Sequence, residues 1–218
     1  MSNIFQYGEK YFAFQREMGH FGGWAELFKF SPYIRTGDAV LDFGCGGGYL
    51  LHNLTNVIKA GLEINTEARK VCSGLGLTVY SKINEVPDEH FDIIISNHAL
   101  EHCVHPLAEL IQLKEKLKPE GRAIFFVPSE TSRVGYNPRD PNYHLYTWSP
   151  MNLGNLFVAA GFEVVSAGPY NHRWPPGYET IARFLGRRGF EFCCRLYGLY
   201  CRNIVTQTYC LAKIKSVE

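Results

Sequence analysis

No run of the 218-residue chain approaches the eighteen or so consecutive apolar residues that a membrane-spanning helix needs. The amino-terminal stretch MSNIFQYGEKYFAFQ also lacks the continuous apolar core of a secretion signal, so a cytoplasmic protein is expected. Neither sign of charge is in excess: 22 lysines and arginines face 21 aspartates and glutamates, for a formal net charge of +1. That balance offers no basic surface for nucleic acid and no partner role for a polyanion. The seven cysteines, at 45, 72, 103, 193, 194, 201 and 210, form no C-x-x-C pair and show none of the spacings of a structural zinc site. They read as reduced, mostly buried thiols, and no bound metal is expected. Repeats and low-complexity tracts are missing too, and 46% apolar against 20% charged residues excludes disorder. A chain of this length buries enough surface to fold as one domain.

What is present is an ordered alternation. Residues 1–36 are rich in aromatics at partly helical spacing and read as a helical cap ending at the turn SPYIRTGD. From Ala39 onward, AVLDF, VIKAGLEI, LTVYS, FDIIISN and RAIFFVPS read as strands. The segments after CGGG, around NTEARKVCSGLG and from PLAELIQLKEKLK read as the helices between them. Strands apolar on both faces and alternating with helices predict a parallel α/β sheet with helices on both faces, over residues 37–218. Two insertions interrupt it, at about 130–148 and 171–202. Between them TWSPMNLGNLFVAAGF reads as a helix closed by Gly161, followed by a strand in FEVVSAG, and NIVTQTYCLAKIK alternates as a last strand.

The stretch VLDFGCGGGYLL places glycines directly after a strand and before a helix, where bare backbone can approach a ligand and helix N–H groups can face its polar atoms. A phosphate loop of the Walker type requires Lys followed by Ser or Thr after its last glycine, and here Tyr49 and Leu50 follow. A nicotinamide fingerprint would be G-x-G-x-x-G without a carboxylate two positions ahead, whereas Asp42, Gly44, Gly46 and Gly48 alternate strictly. Glu63, about twenty residues on and at the end of the next strand, is placed to accept both hydroxyls of a ribose. Dinucleotide and nucleoside ligands share that last feature.

Further residues separate them. VLDFGCGGGYLL, GLEI, FDIIISNHALEHCVHP and LKPEGRAIFFVPS, in that order over about residues 39–129, resemble class I S-adenosylmethionine-dependent methyltransferases, in particular the small-molecule, ubiquinone-biosynthesis-like branch. The resemblance implies a Rossmann-like seven-stranded sheet whose last strands are antiparallel, and S-adenosylmethionine as cofactor with S-adenosylhomocysteine as product. It implies that Asp42, Gly44 and Gly46, with Cys45 and Gly48 of the same loop, line the methionine portion, that Glu63 meets the ribose and that Ile64 covers one face of the adenine. Ser96 and Asn97 would sit beside the sulfonium. Where relatives often place an Asp for the adenine amino group this chain has Ser81, a weaker acceptor.

HALEH, residues 98–102, spells an inverted zinc-protease motif, but directly after a strand it lacks the mid-helix setting that motif needs. Its bland reading has Glu101 and His102 satisfying backbone at the start of a helix. Its metal reading follows from the resemblance, since some quinone-type relatives hold a divalent ion near an acid-rich version of this segment. His98, nearest the strand end, is the first candidate for orienting or deprotonating an acceptor, and His144 in the aromatic loop NPRDPNYHLYTW is the second. Arg183, Arg187, Arg188, Arg195 and Arg202 give residues 183–202 either a solvated helix face or a surface for a phosphate-bearing or lipid-linked acceptor. The expectation is methyl transfer to a small molecule, at oxygen because of the histidines. Transfer to nitrogen, a nicotinamide-dependent oxidoreductase and a non-catalytic partner subunit are the alternatives.

Overall fold

Runs of apolar residues with turn residues at both ends form the strands. In β1 (Ala39–Phe43) all five residues are buried, and in β4 (Phe91–Asn97) Ile93, Ile94 and Ile95 are wholly buried. Only a strand covered on both faces tolerates such a run, which is the position of a central parallel strand. The computed structural model describes residues 18–130, 135–138, 140, 142–202 and 205–215. Its seven strands, completed by β2 (Ile58–Leu62), β3 (Thr78–Tyr80), β5 (Leu117–Glu130), β6 (Phe162–Tyr170) and β7 (Val205–Ile214), lie in the order β3-β2-β1-β4-β5-β7-β6. All neighbours pair in parallel except β7, which runs antiparallel to both β5 and β6. The last strand expected from the sequence is therefore, as Val205–Ile214, the antiparallel member, and residues 203 and 204 of that expectation lie outside the described residues.

Successive residues of each central strand face opposite sides. Val40, Ile93, Ile95, Ile124 and Phe126 fill one core, while Leu41, Phe43, Ile94, Phe125 and Val127 fill the other. Helices α1 (Leu27–Phe30), α2 (Tyr49–Asn53), α3 (Thr66–Gly74), α4 (Pro106–Glu115), α5 (Pro150–Ala159) and α6 (Tyr178–Cys201) join them. Their ends carry local signals. Asn65 accepts from the N–H groups of Glu67 and Ala68 at the start of α3, and Ser149 and Asn152 cap α5 reciprocally. Gly161, at φ +87°, closes α5 as the sequence predicts.

One element exceeds its sequence expectation. β5 begins at Leu117, ahead of RAIFF, because Leu117 pairs with Phe91 before an irregularity restores register at Ile93–Arg122. Within the insertion expected at 171–202, residues 178–201 are helical on either side of Gly186, whose φ of 63° and ψ of −176° break the helix there. Of the expected amino-terminal cap, residues 18–25 and 27–30 are helical, and residues 1–17 lie outside the described set. Phe21, Trp24 and Ala25 of the cap pack with Trp174, Tyr178, Ala182, Phe190 and Cys194 in a third apolar cluster.

The order of strands reverses between β1 and β4, with β2 and β3 on one side and β5 on the other. Open α/β sheets bind ligands in the crevice that such a reversal opens at the carboxyl ends of the strands.

Candidate cofactor and acceptor site

Residues 44–48 leave the carboxyl end of β1 at this crevice. Gly44, Gly46 and Gly48 all adopt positive φ, at 74°, 53° and 74°. Their reasons differ. A Cβ on Gly44 would lie 2.3 Å from the Ala99 side chain, and one on Gly48 would lie 2.5 Å from Leu77 Cδ1, so both glycines are demanded by packing. A Cβ on Gly46 would meet nothing within 4 Å. The backbone of Gly46 thus faces open space, the cradle a small ligand needs.

Glu63, following β2, holds the loop in place. Its Oε2 accepts from the Gly46 N–H at 2.9 Å and its Oε1 from the Asn65 N–H at 2.7 Å. Arg69 donates to the carbonyls of Glu63 and Ile64 at 2.8 and 2.6 Å, fixing the same turn from α3. Burial raises the Glu63 carboxyl above its usual range, against the lowering effect of the Asn65 and Gly46 N–H bonds. Asp42, 3% exposed, is pushed up to about 8 by burial first and then by the neighbouring charge of Glu63. A buried acid of that kind at the floor of a crevice marks a place where a cation is welcome.

The remaining sequence candidates separate into two groups. Ile64 is 69% exposed at the crevice, as a residue covering a flat ring should be. Ser81 donates its hydroxyl to Glu85, which leaves its lone pairs as acceptors. Asn97 ends β4 half-buried. Ser96 and Cys45 point inward. The Ser96 hydroxyl is wholly buried and donates to the Phe43 carbonyl at 2.9 Å, tying β4 to β1. The Cys45 thiol fills the space above Gly61, so only the backbone of Cys45 faces the loop's outer side.

At the end of β4 the chain turns through His98, a non-glycine residue at φ +57°. Such a conformation costs about 1–3 kcal/mol and clusters at functional sites. Leu100–His102 form a single 3-10 turn, so the mid-helix geometry of a zinc protease is not present here. Glu101 is wholly buried, and neither of its carboxylate oxygens accepts a hydrogen bond. Its Oε1 lies 3.4 Å from His98 Nδ1 and 4.0 Å from both His102 Nε2 and His144 Nε2. The bland reading, Glu101 capping backbone, therefore gives way to a carboxylate ringed by imidazoles. His144 comes from the long loop, where its Nδ1 lies 3.0 Å from Glu130 Oε1. Burial lowers the His102 imidazole, with Glu101 opposing that effect.

A second polar group escaped the sequence reading. Lys29, buried in the cap, donates to Asn97 Oδ1 at 3.2 Å and to Gln207 Oε1 at 2.7 Å, and it pairs with Glu26. Burial lowers the Lys29 ammonium, with the Glu26 carboxylate opposing that effect. Trp174 Nε1 donates to Glu26 at 2.6 Å, and Gln207 donates to the His172 carbonyl at 3.2 Å. The i, i+3 spacing of Glu26 and Lys29 was the only available signal, and it normally marks an exposed pair. Because Lys29 donates to the Asn97 carbonyl oxygen, the Asn97 amide keeps its two N–H groups as donors.

Comparison with known proteins agrees with this architecture. The family described as "Methyltransferase domain" matches residues 14–167. The chain is 34% identical over 116 residues to a ubiquinone biosynthesis O-methyltransferase of Actinobacillus pleuropneumoniae, a match covering 45% of this chain and 49% of that protein. Over 205 residues it is 26% identical to a ubiquinone biosynthesis O-methyltransferase of Nitrosococcus oceani, covering 83% of this chain and 76% of that one. Among solved structures, a SAM-dependent methyltransferase from Archaeoglobus fulgidus superposes with a TM-score of 0.64 at 20% identity, covering 87% of this chain and 91% of the other. The chain spans about half the length of the first of these relatives. With the strand order, the glycine loop and the match over residues 14–167 in agreement, the chain belongs to the methyltransferase domain family.

Proposed function

We propose that the chain transfers the methyl group of S-adenosylmethionine to an oxygen of a small-molecule acceptor. The observation that carries this reading is the open cradle at Gly46, bounded by the buried Asp42 and the half-buried Glu63. Those residues fit the cofactor. Asp42 suits its cationic methionine end, Glu63 its ribose hydroxyls, Ile64 and Ser81 its adenine. A sulfonium supplies an already activated methyl group, so the protein's task is alignment and exclusion of water.

Asn97 and His98 sit where the acceptor would approach. The Asn97 N–H donors, turned by Lys29, suit an acceptor oxygen's lone pairs, and His98 suits removal of its proton. Glu101, whose Oε1 lies 3.4 Å from His98 Nδ1, orients that ring. His98→Ala should lower turnover about a hundred- to ten-thousandfold, the span of general acid-base catalysis. Cofactor affinity should stay near the parent value by calorimetry. Undiminished turnover would sink the base role. Calorimetry with S-adenosylmethionine against NAD separates methyl transfer from the oxidoreductase alternative, and labelled-methyl transfer into a metabolite extract identifies the acceptor. A phosphate-bearing or lipid-linked acceptor fits the arginines of α6. Seven free cysteines fit a reducing compartment, the cytoplasm.

A second reading rests on Glu101. Ligand atoms of Glu101, His102 and His144 lie within 4.8 Å of one another, around a carboxylate that accepts no hydrogen bond. Nitrogen and carboxylate donors so arranged fit a divalent ion of the zinc or manganese type. In that case the ion supplies positive charge to an acceptor oxygen, and Glu101, His102 and His144 hold it. Metal content after gel filtration, in the parent and in Glu101→Gln, decides between the readings, alongside activity lost to a chelator and restored by divalent ions.

A further inference from the structure

Helix α6 is apolar on two opposite faces. Inward, Phe190, Cys194, Gly198 and Cys201 follow one another at helical spacing and are buried. Outward, Phe192, Leu196, Leu199 and Tyr200 stand at i, i+4, i+7 and i+8 and are 63%, 52%, 46% and 84% exposed. Before the break at Gly186, Phe184 and Leu185 are exposed as well. A helix lying on a globular domain normally turns polar residues to water on that side, so this stripe is prepared for a partner.

Charge indicates which partner. Residues 178–202 carry five arginines against two glutamates. Arg187 is committed inward over the Trp24 ring at 5.1 Å, whereas Arg183, Arg188, Arg195 and Arg202 are exposed. Arg188 and Arg195 lie four positions before and three after Phe192, so they flank the apolar stripe along the same side. Glu191 offsets one of them, pairing with Arg195 at 2.7 Å. Aromatic and leucine side chains bordered by arginines are the composition of a helix that lies in the interface of an anionic bilayer. Among the described residues no helix is long and apolar enough to cross a membrane, so α6 would lie on the surface.

We propose that the outward face of α6 docks this protein on an anionic membrane surface, with Phe192, Leu196 and Tyr200 entering the acyl boundary and Arg188 and Arg195 meeting lipid phosphates. The inward face of α6 packs on the cap and on residues 171–177: a Cβ on Gly198 would lie 2.6 Å from the backbone of Asn171 and His172, and the Arg173 N–H donates to the Cys194 carbonyl at 3.1 Å. Those segments hold Glu26, Trp174 and Lys29 over Asn97. Docking therefore places the cap, with Lys29 and Asn97 beneath it, on the side of α6 away from the lipid, and the docking face does not rest on the proposed methyl-transfer site.

Co-sedimentation with vesicles of phosphatidylcholine alone and of phosphatidylcholine mixed with phosphatidylglycerol tests the proposal. The protein should bind the mixed vesicles and not the neutral ones. Each basic residue near an anionic surface is worth about fivefold in partition, so Arg188→Gln with Arg195→Gln should reduce binding about thirtyfold. Phe192→Ser with Leu196→Ser should abolish it. All four positions are exposed or flank the stripe, and unchanged circular dichroism together with parent-like S-adenosylmethionine affinity would show that fold and site persist. No vesicle binding, equal binding to both vesicle types, or variants that bind like the parent would overturn the proposal. So would a dimer in sedimentation equilibrium that Phe192→Ser with Leu196→Ser dissociates, because the stripe would then belong to a second copy. Failure of the parent to bind S-adenosylmethionine would instead remove the methyltransferase reading and leave the vesicle result standing.

Discussion

Gly44 and Gly46 are the same residue two positions apart, and their backbones turn the same way, yet they serve different ends. Gly46→Ala places a methyl group in open space and adds roughly 1–2 kcal/mol of left-handed backbone strain. The fold should persist while S-adenosylmethionine affinity falls by at least tenfold in calorimetry. Gly44→Ala drives a Cβ into Ala99 and should lower thermal stability before binding can be measured. Equal effects from both substitutions would contradict the assignment. Asp42 carries the second expectation at this scale. Its carboxyl holds a proton in the fold up to about 8, whereas the unfolded chain loses it near an ordinary value of about 3.9. The native state binds more protons between those values, so the stability from Asp42 is present below that window and is lost as pH rises through it. Asp42→Asn should flatten the decline of melting temperature as pH rises from the ordinary carboxylate range toward about 8. A cationic ligand favours the charged carboxylate, so binding S-adenosylmethionine near pH 7 should release a proton, visible as buffer-dependent binding heat.

Elements decide where the polar side chains meet. β4 delivers Asn97 and His98 to the crevice, and its exit through a left-handed residue is what brings His98 Nδ1 over Glu101. β6 delivers His172 to a buried position against Phe28 and Tyr170, at ring separations of 5.0 and 5.9 Å, with neither ring nitrogen hydrogen-bonded. Burial pushes its imidazole down to about 4, with Glu26 opposing. Unfolded histidine titrates near 6.5, so between those values the unfolded chain binds the extra proton. The contribution of His172 is therefore complete above about 6.5 and lost as pH falls toward 4. His172→Phe should remove that part of the acid-side loss of stability, measured as melting temperature against pH. An unchanged acid limb would show that other groups set it.

At the scale of the whole molecule, a buried lysine of the cap, paired with Glu26 of the same segment, ties the cap to the sheet. Lys29 reaches Asn97 on β4 and Gln207 on β7 from a segment that precedes both in the chain. Lys29→Met leaves the Glu26 carboxylate buried without its cation, a change worth about 3–5 kcal/mol in urea unfolding. Adding Glu26→Gln should recover most of that loss, and failure to recover would mean that Lys29 acts through packing alone. The alternation of strands and helices, the glycine loop and the acid at 63 were legible in the sequence, because apolar period and turn chemistry act between residues a few positions apart, whereas the antiparallel sense of the last strand followed only from the family resemblance. Burial of Ser96 and Cys45, the difference between Gly44 and Gly46, and the union of His144 with Glu101 and of Lys29 with Asn97 were decided by tertiary structure alone. Each depends on which side chains from distant segments share the carboxyl edge of the sheet, and local periodicity carries no record of that meeting.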